Sequence, residues 1–91
     1  MKKLPEGVSL YGRSPEFTEN SIPENLLSAH RTKARTWGRI VVLDGRLRYR
    51  VLKSYESEVE LTADQPGIVE PTVLHAVEPI GDVKFYVEFY R

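Results

Sequence analysis

The stretch RIVVLDGRLRYRVL, residues 39–52, decides how this sequence is read. Asp44-Gly45 separates an apolar run from one in which Arg46, Arg48 and Arg50 alternate with Leu47, Tyr49 and Val51. Asp-Gly is a favoured pair for the type I′ turn, whose twist suits a two-residue hairpin loop. Reading it so predicts Val42 opposite Leu47, Ile40 opposite Tyr49 and Gly38 opposite Val51, all facing the core. The other face then sets Val41 beside Arg48 and Leu43 beside Arg46, half apolar and available to the N-terminal arm or to a second subunit.

Working outward, the next run is YESEVEL at residues 55–61, with acids at alternate positions. A turn from Leu52 to Ser54 predicts Arg50 opposite Glu56, Arg48 opposite Glu58 and Arg46 opposite Glu60, each pair adding about 0.2 to 1 kcal/mol and fixing register. After the turn signal Gln65-Pro66-Gly67 come short apolar runs at 68–70 and 73–77, and then a turn at 79–82. The chain closes on VKFYVEFYR, residues 83–91, where Phe85, Val87 and Phe89 alternate with Tyr86, Glu88 and Tyr90. Such short runs about ten residues apart, without a helical period, predict an all-β antiparallel sandwich or barrel. Residues 1–24, with Pro5, Pro23 and many polar residues, read as an irregular arm with one short strand near Val8 to Tyr11, so that 1–91 is a single domain.

Composition narrows the chemistry. There is no cysteine, which excludes thiolate catalysis, disulfides and thiolate metal sites. No apolar run follows Lys2 and Lys3, and none approaches the roughly 20 residues of a membrane helix, so a cytoplasmic protein with no membrane partner is expected. Net charge is zero, from 13 basic and 13 acidic residues. The basic run from Arg31 to Lys53 resembles a nucleic-acid surface, but the acids facing its arginines cancel the field a polyanion would meet, and no nucleic-acid partner is expected. Phosphate loops and standard nucleophile constellations are missing, so no catalytic residue is assigned.

The residues able to do site chemistry are the two histidines, His30 and His75. Brought together, and completed by a carboxylate such as Glu88 or Glu70, they would form the two-histidine, one-carboxylate set that holds Fe(II), Mn(II) or Zn(II). The plainer reading makes His75 a half-buried strand residue bonded to a backbone carbonyl and His30 a surface loop residue. Trp37 and the tyrosines are either pocket-lining or core residues.

The order Leu27-Ser-Ala-His30, Trp37-Gly38, Asp44-Gly45, Pro71-Thr-Val-Leu-His75 and Phe85-Tyr-Val-Glu-Phe89 resembles the TehB/YeaR-like domain family, small cupin-like proteins named for tellurite resistance. The resemblance implies a double-stranded β-helix, a jelly-roll barrel, over nearly the whole chain. Cupins hold a divalent metal with two histidines and a glutamate from one motif and a histidine from a second. Here His30 falls near the first histidine and His75 at the last, while Thr32 and Gly38 stand near the other two positions. The implied site is therefore His30 and His75 assisted by Glu88, with Trp37, Tyr49 and Tyr86 shaping the cavity. It would hold a divalent metal (Zn, Fe, Mn or Ni), a small molecule or a small anion, in a homodimer serving a stress response. The rivals are a metal-dependent cupin enzyme, an oxygenase or isomerase, and a metal-free dimeric interaction module. Full-length TehB proteins join such a domain to a methyltransferase, for which this chain has no room.

Overall fold

The computed structural model describes residues 3–52 and 57–91. Asp44-Gly45 does not turn the chain. A single strand, β3 (Trp37–Val51), continues through it, and a second, β6 (His75–Tyr90), pairs with it antiparallel from Trp37↔Tyr90 to Val51↔His75. The expected hairpin is thus a β-bulge. Register slips between Val42 and Asp44, leaving Leu43 unpaired, and slips again between Gly45 and Arg46, where Gly81 and Asp82 are extra on β6. The expected turn at 79–82 is the matching irregularity on the partner strand.

Bulges bend strands and increase their twist, and here they fold the two-stranded ribbon over on itself. A straight strand of this length would span about 50 Å, yet the longest dimension of the molecule is 34 Å. Ile68 of β5 (Gly67–Val69) pairs with Arg39. The Tyr49 hydroxyl, roughly 30 Å further along a straight strand, nevertheless donates to the Ile68 carbonyl at 3.3 Å. Gly45 permits the bend: its φ is +78°, and a Cβ there would lie 2.0 Å from the Asp82 carbonyl oxygen.

Four further pieces complete the sheet. β1 (Leu10–Arg13) and β2 (Phe17–Thr18), both within the arm, lie along β6, while β4 (Ser57–Leu61) and β5 flank β3. One helical turn, α1 (Glu24–Leu27), packs against β6. The inward residues are those expected: Gly38, Ile40, Val42, Leu47, Tyr49 and Val51 are all buried, and Ile40, Leu47, Leu61, Val69 and Phe85 form the centre of the core. Burying each such side chain stabilises by about 1.5 to 3 kcal/mol.

The charge ladder is present in a different register. Arg48 pairs across from Glu60 and Arg50 from Glu58, two residues off the expected alignment, a slip that keeps every side chain on its face. The two shortest β3–β4 ion pairs run diagonally, Arg46 to Glu60 at 2.9 Å and Arg48 to Glu58 at 2.9 Å, while Arg50 meets Glu58 straight across at 3.4 Å. Glu78 of β6 completes the ladder from the other side, bonding Arg48 and approaching Arg50 at 3.8 Å. The expected 52–54 turn and the Arg50 to Glu56 pair lie outside the described residues. Among those residues, no helix is long and apolar enough to cross a membrane.

Candidate functional site

Folding the ribbon leaves a cavity of about 210 Å³ between its halves. Ile40, Val69, Val77, Phe85, Val87 and Phe89 give it apolar walls, Phe17 of β2 and Leu26 of α1 close one side, and the polar lining comes from Ser14, Asn25, His30, Thr32 and His75. Among the described residues, no lysine, arginine, aspartate or glutamate lines it.

The two histidines meet because their backbones pair. The His30 N–H donates to the His75 carbonyl at 2.8 Å and the His75 N–H to the His30 carbonyl at 2.7 Å, an isolated bridge at the start of β6. The loop carrying His30 is held to the turn before His75: the Thr72 N–H donates to the Thr32 carbonyl at 3.2 Å, and the Thr32 hydroxyl to the Thr36 carbonyl at 2.9 Å. The imidazole rings lie edge to face, 5.4 Å between centroids. Behind them, the ring of Tyr49 packs 5.8 Å from that of His75.

His75 is 4% exposed. Its Nδ1 lies 3.0 Å from the Val73 carbonyl, an oxygen that can only accept, so Nδ1 carries the hydrogen and Nε2 is left with a lone pair in the neutral ring. Burial holds the His75 pKa below its ordinary 6.5, with the Val73 carbonyl opposing and His30 adding to the effect. His75 is therefore a neutral acceptor at pH 7, and the carbonyl bond is the one the plainer sequence reading described.

The other expected site residues lie elsewhere. Glu88 stands on the outer face of the sheet, 3.2 Å from the Arg39 guanidinium, and accepts a bond from the Tyr90 hydroxyl at 3.0 Å. Burial and that carboxylate together raise the Tyr90 pKa above 10.0. Glu70 does not line the cavity either. Tyr49 supports His75 from the core, whereas Trp37 and Tyr86 alternate away from the cavity, Tyr86 stacking beneath the Arg13 guanidinium at 4.5 Å. Phe17, Leu26 and Phe89 were not singled out from sequence. Phe89 shares its strand parity with Phe85 and Val87, a signal that was present; the other two reach the cavity only through tertiary placement.

Fold and cavity define a class, an all-β antiparallel domain folded around a ligand-sized, mainly apolar chamber. Residues 12–87 match the TehB-like domain, and the chain belongs to that family. It is 30% identical over 76 residues to the probable S-adenosyl-L-methionine-dependent methyltransferase TehB of Haemophilus influenzae, covering 79% of this chain and 27% of that protein. The crystal structure of Haemophilus influenzae TehB superposes with a TM-score of 0.85 and 29% identity, over 93% of this chain and 32% of that one. A protein from Escherichia coli strain K12 is similar in fold alone, with a TM-score of 0.87 and 18% identity, and all of this chain covers 97% of that one. The chain thus spans about a quarter of the length of the curated TehB relatives, and the same fold makes up nearly the whole of the Escherichia coli chain.

These relatives correct the expected cofactor. They are named for S-adenosyl-L-methionine, not for zinc, iron, manganese or nickel, and among the described residues no three of His, Asp and Glu converge to hold an ion. S-adenosyl-L-methionine itself does not fit this cavity. It is a nucleoside joined to a charged amino-acid end, too large for about 210 Å³ that no charged side chain among the described residues lines. The sheet is antiparallel throughout its pairings, so it lacks the parallel-strand crevice where nucleosides bind in doubly wound folds.

Proposed function

We propose that this chain is a small-molecule-binding domain, a cupin-like double-stranded β-helix that works as a homodimer in the cytoplasm, in a stress response of the kind its tellurite-resistance relatives serve. The observation that carries this reading is the apolar cavity between the folded halves of the ribbon, with His30 and His75 on its wall. Enclosed apolar chambers with a few convergent polar groups are the usual form of small-ligand sites. The bent β3–β6 ribbon supports the cupin-like description. Leu43, 43% exposed, beside half-buried Val41 and Trp37 on the outer face, supports a second copy packed there.

The test is a screen of small neutral and ionised fragments against the intact protein, read by amide chemical shifts. Shifts should cluster at residues 38–40, 69, 75–77 and 85–89 and vanish in Leu26→Trp, whose indole would fill the cavity from α1. Scattered shifts that survive this substitution would refute the reading.

A further inference from the structure

We infer that the cavity's ligand is a neutral, largely apolar molecule of about one six-membered ring, bearing an O–H or N–H that donates to Nε2 of His75. This rests on the binding reading above and names the class of ligand for the same chamber.

Size sets the first limit. A cavity of about 150 Å³ lined by Leu, Ile and Phe holds a benzene ring; the 210 Å³ here admits such a ring with a few substituent atoms. Charge sets the second. Among the described residues the lining includes no basic side chain, so an anion entering it would shed its hydration with no cation from them to compensate. Arg31 and Lys33 line a more open groove outside, which shares His30, Thr32 and Phe89 with the cavity, and both are exposed to solvent.

Hydrogen bonding sets the third. The Ser14 hydroxyl donates to the Pro15 carbonyl at 2.8 Å and accepts from the Val87 N–H at 2.9 Å, and the Thr32 hydroxyl is committed to Thr36. At His75 the Nδ1 hydrogen is committed to Val73, and Nε2 makes no hydrogen bond to any described residue. Among the described residues, the titratable groups whose rings pack against it are His30 and Tyr49. No fully buried polar side-chain atom among the described residues is left without a partner; an acceptor that opens onto the chamber, and that the protein leaves without a donor, favours ligands that supply one.

The experiment compares phenol, toluene and benzoate, three probes of nearly one shape, by calorimetry and amide shifts on the intact protein at pH 7.5. Phenol should bind about five- to tenfold more tightly than toluene, the worth of one net hydrogen bond, and more tightly still than benzoate. In His75→Phe phenol should fall to the level of toluene. Should that variant not fold, the wild-type protein still decides with anisole as a fourth probe: its ether oxygen can accept but not donate, so it should bind no more tightly than toluene. Benzoate binding as well as phenol, or toluene matching phenol, would overturn the donor assignment while leaving the chamber a binding site. Absence of cavity shifts with all three would overturn the binding reading itself, and this inference with it.

Discussion

Replacing Gly45 with alanine should be far more damaging than replacing Gly81, although both glycines are left-handed, with φ of +78° and +68°. The shared conformational cost of an L-residue there is about 1 to 2 kcal/mol, partly offset by the lower entropy of the unfolded chain. At Gly81 nothing lies within 4 Å of an added Cβ, so Gly81→Ala should cost about 1 kcal/mol. At Gly45 the Cβ would sit 2.0 Å from the Asp82 carbonyl oxygen. The bulge must open by more than an ångström, losing one or two ladder hydrogen bonds at about 1 kcal/mol each as well as local packing, for a total of about 3 to 5 kcal/mol. That is a large share of the roughly 5 to 15 kcal/mol that holds a domain of this kind together. Urea unfolding followed by Trp37 fluorescence measures both variants. If Asp44-Gly45 were a hairpin loop, only the conformational cost would apply, so equal losses within about 0.5 kcal/mol would refute the folded ribbon.

Further expectations follow from the ladder, the core, the histidine and the outer face. Arg48→Met, which leaves Glu58 and Glu78 flanking a neutral side chain, should cost about 1 kcal/mol at low salt and clearly less in 1 M NaCl, where the screening length is about 3 Å; an undiminished loss would mean the ladder does not act through charge. Leu61→Ala, at a fully buried position, should cost about 2 to 5 kcal/mol by chemical denaturation. Because the folded His75 resists protonation, the unfolded chain binds a proton near pH 6.5 that the folded chain refuses. Stability is then complete above that pH and falls as pH drops toward the lower folded value. Melting temperature against pH should show this slope in the wild type and a shallower one in His75→Phe; parallel curves would contradict it. Leu43→Lys should convert a dimer to a monomer in sedimentation at equal concentration, and a wild type already monomeric at 100 μM would end the dimer proposal.

The inward face of the long strand was legible because a hairpin and a bulge share the same arithmetic. Val42 and Leu47 lie an odd number of residues apart, so both reach the core whether the chain turns back at Asp44-Gly45 or continues with one residue extra. Periodicity reports the face and is silent on the partner, and the β3–β6 ribbon was therefore invisible in local pattern. The same limit explains the ladder. Arg46 and Arg48 find Glu60 and Glu58 despite the slipped register, since long side chains reach diagonal neighbours, but Glu78 depends on the unseen β6 pairing. The meeting of His30 and His75 was suggested by motif order, and the cavity walls from the arm and α1 had no local signal. Strand parity did set Glu88 apart from Phe85, Val87 and Phe89, and that opposition is what the sheet preserves.

The most direct test of the account is a crystal structure of the intact protein soaked with phenol. The account predicts one ring between Phe85, Val87 and Phe89, its hydroxyl within hydrogen-bond distance of His75 Nε2 and the Nδ1 bond to Val73 kept. A well-ordered structure with that cavity collapsed, or with phenol only in the outer groove beside Arg31 and Lys33, would contradict it.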